Sequence, residues 1–103
     1  MKLIKDPKIA VTIAGNDSDG SAGMPADLHA FYDRDVYGMG LMTAAVAGNT
    51  TGIFAQQIMP VEFIQKQFDV LNDDFKISAA KTGMLANKEI IDCVADNLEK
   101  YDM

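Results

Sequence analysis

Apolar and polar positions along the chain follow patterns that predict alternating strands and helices. Residues 9–14 form a short, continuous apolar run ended by a glycine, which is typical of a buried strand. Residues 25–34 are predicted to be a helix, because proline is well tolerated at a first helical position and Leu28 and Phe31 share a face. Residues 36–46 are small, β-branched or methionine-rich and carry no charge, which favours a central strand of a parallel sheet.

An amphipathic helix is the clearest element in the second half of the chain. Residues 48–52 are predicted to be a loop, and residues 53–58 a short extended segment. Pro60 then begins a helix whose apolar residues recur at spacings of three and four, as a one-sided stripe requires. The stripe consists of Val61, Ile64, Phe68, Leu71 and Phe75.

A brief strand and a last helix complete the pattern. Residues 77–80 are predicted to be the strand, and Asn87 is expected to cap the helix that follows. The apolar face of that helix comprises Ile90, Ile91, Val94, Ala95 and Leu98. Alternating strands and helices predict an α/β fold, in which a mainly parallel sheet is covered by helices within a single domain over residues 1–103.

Charge and cysteine content exclude several classes of partner. The formal net charge is −6 and the basic residues do not cluster, so neither nucleic acid nor a membrane surface is expected as a partner. A small anionic ligand is still compatible with this net charge, because backbone amides bind anions without net positive charge. Residues 1–8 are broken by charge too often for a signal peptide. With Cys93 as the single cysteine, we expect a reducing compartment, the cytoplasm.

Residues 10–31 are the strongest candidate for a binding site. An apolar strand passes into a loop with glycines at positions 15, 20 and 23, and a helix then begins. This order creates a polar pocket whose floor consists of backbone N–H groups, which suits a small polar ligand. The glycines allow either a positive φ angle or the close approach of a ligand.

Asp27 is the first candidate for a ligand contact. Its carboxylate, beside the glycine-rich loop, can accept hydrogen bonds from an amine or a hydroxymethyl group. The alternative is an acid in the first turn of a helix, favoured there by the helix dipole. Turn formation explains Asp17 and Asp19 adequately. No metal site is expected at His29, and Cys93 is expected to pack against the apolar helix face.

The Lys-Thr-Gly-Met-Leu segment that follows the predicted strand 77–80 is a second candidate site. In open α/β sheets, ligands bind just beyond the carboxyl ends of the strands, so Lys81 and Met84 are expected to form a pocket wall. Lys81 either contacts a phosphate group or is a solvated lysine at a strand end.

Three blocks of sequence carry a family resemblance. They are residues 10–31, residues 36–50 with Val-Tyr-Gly-Met-Gly and Thr-Ala-Ala-Val-Ala-Gly-Asn-Thr, and residues 80–86 with Ala-Lys-Thr-Gly-Met-Leu-Ala. In this order they resemble the hydroxymethylpyrimidine and phosphomethylpyrimidine kinases of thiamine synthesis, and the related pyridoxine kinases. The resemblance implies a ribokinase-like fold. It also implies ATP-dependent phosphorylation of 4-amino-5-hydroxymethyl-2-methylpyrimidine and of its monophosphate, with Mg²⁺ bridging the nucleotide phosphates.

The same resemblance implies a substrate site. Asp27 matches the aspartate that contacts the pyrimidine, Gly15 the position whose backbone lies against the ring, and Met84 an apolar contact. Gly48 departs from the pattern, because pyrimidine-specific members usually carry glutamine there. Glycine removes both the donor and the acceptor, so relaxed selectivity between pyrimidine and pyridoxine-type rings is expected.

The resemblance also implies that the chain is the N-terminal, substrate-side part of such a kinase. In the related enzymes, the continuation holds a glycine-rich anion hole, an aspartate base and most of the nucleotide site. We therefore expect no catalytic residue and no kinase activity in this chain alone. We also expect a homo-oligomer, a dimer, because a sheet cut at its middle exposes an edge strand. The alternatives are a pyridoxine or pyridoxal kinase, and a non-catalytic α/β module that dimerises or binds a small heterocycle.

Overall fold

Four strands and three helices alternate along residues 8–103, the part of the chain that the computed structural model describes. In chain order they are β1 (Ile9–Asp17), α1 (Gly23–Asp33), β2 (Tyr37–Asn49), β3 (Gly52–Ile58), α2 (Val61–Asp74), β4 (Ala79–Thr82) and α3 (Lys88–Lys100). The expectation about a signal peptide rests on residues that, Lys8 apart, lie outside this range. No helix within residues 8–103 is both long and apolar enough to cross a membrane.

The four strands form one sheet in the order β3-β2-β1-β4. Strand β1 pairs in parallel with both β2 and β4, whereas β3 pairs antiparallel with β2. A turn at Thr50 and Thr51 joins β2 to β3. The expected α/β fold with a mainly parallel sheet is confirmed, and the hairpin adds one antiparallel edge strand to it.

The hydrophobic core lies between the sheet and the pair of helices α2 and α3. Successive strand residues point to opposite faces, and the face towards α2 carries Ile13 and Leu41, which are fully buried. The α2 stripe behaves as the sequence predicts, because Ile64 and Phe68 are its most deeply buried members. From α3, Ile90 joins the same cluster.

Helix α1 covers the opposite face of the sheet, and two glycines of β2 let it approach closely. A Cβ atom at Gly40 would clash with Met24 Sδ, and one at Gly38 would lie 2.7 Å from Phe31 Cδ2. These glycines alternate with the core residues of β2. The Gly-x-Gly pattern in this strand therefore has a packing function.

The buried face of helix α3 differs from the face that the sequence predicts. Asn87 caps the helix as expected, with its Oδ1 accepting from the backbone N–H of Ile90 at 2.9 Å. However, Ile91 is half exposed and Ala95 is exposed, while Asn97 is buried. The reason is that Gln65 of α2 and the Asn97 side chain exchange two hydrogen bonds, of 2.8 and 2.7 Å, which rotates a polar residue into the interface.

Three element boundaries differ from the sequence predictions, and each difference bears on the candidate site. Strands β1 and β2 continue three residues further than predicted, to Asp17 and Asn49, because their ends pair with each other and with β3. Gly48 therefore lies in a strand rather than in a loop. Helix α1 begins at Gly23, so Asp27 is not in its first turn and the helix-dipole explanation is wrong. Strand β4 lies two residues later than predicted.

Candidate functional site

A cleft of about 260 Å³ opens at the carboxyl ends of the three parallel strands. Its lining consists of Gly15, Asp17, Ala22, Gly23, Val46, Ile53, Lys81, Gly83 and Met84. Lys81 and Asp17 are the charged members of that lining. The cleft lies where open α/β sheets bind their ligands, because strand ends and helix starts leave backbone groups unpaired there.

A second depression of about 400 Å³ lies beside the β2–β3 hairpin. Its lining consists of Asn16, Ser18, residues 45–47 and residues 55–57. None of these lining residues carries a charge. The smaller cleft is therefore the better candidate for chemistry, since it combines a cation, a carboxylate and an apolar wall.

Glycines shape the floor of the cleft. Gly23 has a φ angle of +63°, and a Cβ atom there would lie 2.5 Å from the carbonyl oxygen of Gly15. A Cβ atom at Gly15 would lie 3.0 Å from Met84 Cε. Glycine at these two positions thus lets the start of α1 and the Met84 side chain close over the end of β1.

The Met84 segment is anchored from below. The hydroxyl of Thr43, which is fully buried, donates to the carbonyl oxygen of Met84 at 2.7 Å. The backbone N–H of Gly83 donates to the carbonyl oxygen of Ile13 at 2.8 Å, which extends the β1–β4 ladder. Met84 itself is 38% exposed and faces the cleft, as expected for an apolar wall.

Asp27 is held on the sheet side of α1 by two donors. Thr12 Oγ1 donates to Asp27 Oδ2 at 2.6 Å, and Lys81 Nζ donates to the same oxygen at 2.8 Å. Lys81 stands next to Thr12 on the neighbouring strand. Asp27 is not among the residues that line the cleft, but Lys81 is, so the ion pair connects the carboxylate to the cleft wall.

The surroundings of Asp27 keep its carboxylate ionised. Burial alone would raise the pKa of Asp27, but the hydrogen bonds from Lys81 and Thr12 and the charge of Lys81 together lower it below its usual value. Both bonds use Oδ2, so Oδ1 takes part in neither. Asp27 therefore supplies a permanent negative charge beside the cleft at neutral pH.

Gly48 lies at an irregular point of the hairpin, where the β2–β3 register shifts after Ala47. Its backbone N–H donates to Ser18 Oγ at 2.9 Å, and the Ser18 hydroxyl donates to the Gly48 carbonyl oxygen at 2.8 Å. Gly48 does not line the cleft itself. However, a Cβ atom at this position would lie 2.8 Å from Asp17 Oδ1, and Asp17 does line the cleft.

The two loop aspartates prove to be different from each other. Asp19 forms the expected turn, because its Oδ1 accepts from the backbone N–H and the hydroxyl of Ser21 at 2.8 and 2.6 Å. Asp17 is the last residue of β1, and its Oδ1 is buried without a hydrogen-bond partner among residues 8–103. Turn formation therefore does not explain Asp17. No sequence signal separates it from Asp19, since the distinction depends on contact with Gly48.

The remaining candidates stay outside the site. His29 is exposed on α1, and Cys93 is partly buried between α2 and α3, where burial raises the pKa of its thiol. Within residues 8–103, no three His, Cys, Asp or Glu side chains are grouped so that they could hold a metal ion. Gly20 has a φ angle of +82° and serves the turn that follows β1.

The fold and the cleft together define an α/β protein with a cleft of small-molecule size at the carboxyl ends of its parallel strands. The sequence profile of the family described as phosphomethylpyrimidine kinase matches residues 17–103. The chain belongs to this phosphomethylpyrimidine kinase family. The match spans two of the three sequence blocks completely and most of the first.

Individual relatives agree with this membership. The chain is 48% identical over 91 residues to the hydroxymethylpyrimidine/phosphomethylpyrimidine kinase of Haemophilus influenzae, which covers 88% of this chain and 34% of the relative. The crystal structure of phosphomethylpyrimidine kinase from Clostridium difficile is similar with a TM-score of 0.88 at 41% identity, covering 92% of this chain and 41% of the other.

A second kind of kinase shares the same architecture. The structure of pyridoxal kinase from Staphylococcus aureus in complex with AMP-PCP and pyridoxal is similar with a TM-score of 0.83 at 35% identity, covering 92% of this chain and 35% of the other. The expected ribokinase-like fold is confirmed. The chain spans about a third of the length of the curated relatives that it matches.

Proposed function

We propose that the whole protein containing this chain transfers a phosphoryl group from ATP to 4-amino-5-hydroxymethyl-2-methylpyrimidine, and then to its monophosphate, in thiamine biosynthesis. In this proposal, residues 8–103 form the substrate-binding side of the active site. The protein acts in the cytoplasm. The observation that carries the proposal is the cleft at the strand ends, to which each of the three sequence blocks that resemble these kinases contributes lining residues. We assign no catalytic role in the phosphoryl transfer to any of residues 8–103.

Each residue of the site has a physical task in this proposal. The backbone at Gly15 lies flat against one face of the ring, since a side chain there would meet Met84. Met84 packs against the ring, and Asp27 accepts a hydrogen bond from the ligand through the oxygen that Lys81 leaves free of its ion pair. Lys81 orients Asp27 and is close enough to the cleft to contact a phosphate on the monophosphate substrate.

The residues described do not by themselves fit ATP and Mg²⁺. The cleft lining contains one carboxylate, and residues 8–103 hold no group of three metal-ligating side chains. A Mg²⁺ ion at nucleotide phosphates needs carboxylates and a cradle of donors around the phosphates. We therefore assign ATP and Mg²⁺ to the whole protein and derive no step through them from these residues.

Pyridoxine or pyridoxal is the second candidate substrate. The absent side chain at Gly48 removes the group that would distinguish the pyrimidine edge, and a pyridoxal kinase is among the similar structures. A site that only accommodates a ring discriminates less than one that hydrogen-bonds it. The relative binding of the pyrimidine and of pyridoxal distinguishes these two candidates.

We expect the 103-residue chain to bind a ring without turning it over. Ligand-observed NMR with 4-amino-5-hydroxymethyl-2-methylpyrimidine and with pyridoxal measures binding, and a coupled ADP-release assay measures turnover. Binding of the pyrimidine without ADP release supports the proposal, because the cleft lies within residues 8–103, whereas ATP and Mg²⁺ are assigned to the whole protein. Turnover that survives stringent purification and disappears in Asp27→Ala would contradict it, since a contaminating kinase would ignore that substitution.

Self-association belongs to the same proposal. Strand β3 is an edge of the sheet, and its residues Ile53 and Phe54 are 68% and 71% exposed. Unpaired edges with exposed apolar side chains associate with other chains. We therefore propose that a second copy of this chain covers β3 in a dimer.

Sedimentation at low micromolar concentration is expected to show this association. Phe54→Lys is expected to weaken it, because a charge on an edge strand opposes pairing. Phe63→Lys is the matched control, since Phe63 is 53% exposed but lies on α2, away from the edge. A compact monomer for the unchanged chain, or equal effects of both substitutions, would argue against the β3 dimer.

A further inference from the structure

Asp17 has an unexplained environment at the wall of the cleft. Asp17 is one of the residues that line the cleft, yet its Oδ1 is buried and has no hydrogen-bond partner among residues 8–103. A buried acceptor without a donor is unfavourable, so such an oxygen marks a place where a water molecule or a ligand supplies the missing bond. Rotation about the last torsion of an aspartate is soft, so the carboxylate can turn towards a donor in the cleft.

Gly48 decides where this carboxylate lies. A Cβ atom at position 48 would come within 2.8 Å of Asp17 Oδ1, a separation at which the carboxylate would have to move. Ser18 fixes the position of Gly48 by bonding to both its N–H and its carbonyl oxygen. The Asp17 carboxylate can therefore occupy its present position only because residue 48 has no side chain.

A carboxylate offers a different hydrogen bond from the glutamine amide that the family resemblance implies at position 48 of pyrimidine-specific kinases. An ionised carboxylate only accepts, whereas an amide both donates and accepts. Hydrogen bonds to an ionised acceptor are also stronger than neutral ones. In this position Asp17 would select a ring substituent that donates, such as an exocyclic amino group.

We propose that Asp17 is a specificity-determining residue of the cleft, which accepts a hydrogen bond from the amino group of the ring in place of the side chain absent at Gly48. This inference rests on the proposed function, because it takes the cleft to be the substrate site. Asp27 then accepts from the other donor of the ligand, its hydroxymethyl group.

The test is a comparison of two ligands and several variants of the full 103-residue chain. The ligands are 4-amino-5-hydroxymethyl-2-methylpyrimidine and the same molecule without its amino group, with affinities measured by ligand-observed NMR titration. In the unchanged chain, removing the amino group is expected to weaken binding about 10-fold or more. In Asp17→Ala, the two ligands are expected to bind within about 2-fold of each other, because the partner of the amino group is gone.

Three further variants separate this role from a structural one. Asp19→Ala removes an acid from the same loop whose main hydrogen-bond partner is Ser21 and which is not in the cleft lining, so the ligand preference is expected to remain. Asp17→Asn keeps the shape and one acceptor, and is expected to restore part of the preference. Gly48→Ala leaves Asp17 intact but displaces its carboxylate, so the preference is expected to fall.

The outcomes distinguish this inference from the proposed function. If Asp17→Ala or Gly48→Ala keeps the full preference for the amino group, Asp17 is not the acceptor and the inference is overturned. If Asp27→Ala loses the preference for the ligand with the amino group while the Asp17 variants keep it, Asp27 rather than Asp17 is the acceptor, and the inference is overturned. If the folded, unchanged chain binds neither ligand, the substrate site is wrong and this inference is overturned with it.

Discussion

Replacing Asp27 by alanine is expected to weaken ligand binding by about 1–3 kcal/mol, or about 5- to 150-fold. Two losses combine in this variant. The ligand loses an ionised acceptor, and Lys81 loses the partner that holds its ammonium group 2.8 Å from Oδ2. Titration of the 103-residue chain with 4-amino-5-hydroxymethyl-2-methylpyrimidine, followed by ligand-observed NMR, measures the change. Asp33→Ala is the matched control, since it removes an exposed acid from the end of the same helix.

Asp27→Asn separates binding from folding. In Asp27→Asn, the amide oxygen of asparagine can still accept a hydrogen bond from the Thr12 hydroxyl. In Asp27→Ala, the same buried hydroxyl loses this partner, which is unfavourable. Asparagine is therefore expected to preserve the fold better than alanine, while still weakening ligand binding because the charge is lost. Normal binding by both variants would contradict the role of Asp27 in the site.

The pH dependence of stability gives an independent check on the Asp27–Lys81 pair. The pKa of Asp27 is lowered in the folded chain, so its ionised form contributes stability above the pKa of the unfolded chain, about 3.9. That contribution is lost as the pH falls through the lowered folded pKa. The difference in unfolding free energy between the unchanged chain and Asp27→Asn is therefore expected to be constant near neutral pH and to shrink at strongly acidic pH.

Replacing Phe68 by alanine is expected to lower the free energy of unfolding by about 3–5 kcal/mol. Phe68 is 1% exposed and lies in the cluster that joins α2 to the sheet, so its removal leaves a cavity. Native domains have unfolding free energies of about 5–15 kcal/mol, so this one substitution removes a large share of the stability. Urea unfolding followed by circular dichroism measures the loss.

Phe63→Ala is the matched control for this prediction. It deletes the same side chain from the same helix, but Phe63 is 53% exposed, so a change within about 0.5 kcal/mol is expected. Equal destabilisation by the two substitutions would show that α2 does not use the predicted stripe to pack against the sheet.

The local pattern of the chain predicts much of the fold. The 3–4 spacing of apolar residues identifies α2 and its buried members Ile64 and Phe68, because one helix face meets the core every 3.6 residues. Asn87 is recognised as a cap because its side chain replaces the hydrogen bond of a helix start. The pattern fails at Asn97, where a partner on another helix makes burial of a polar residue favourable.

The candidate site is predicted only in part. Gly15, Lys81 and Met84 line the cleft as expected, because strand ends and glycine-rich loops are visible in the sequence. Asp27 lies beside the cleft through its ion pair with Lys81, but neither that ion pair nor its distance from the helix start is predicted from the sequence. Asp17 is missed, because its distinction from Asp19 arises only through contact with Gly48.

By itself, the sequence determined the order of strands and helices, the membership of the chain in its kinase family and the segments that form the cleft. These properties depend on residue type and short spacing, which are the same before and after folding. Only the tertiary structure decided which groups meet: Lys81 with Asp27, 54 positions apart, and Asp17 with Gly48 across the ends of two strands. Such contacts depend on strand register, and a register is set jointly by all the strands of the sheet.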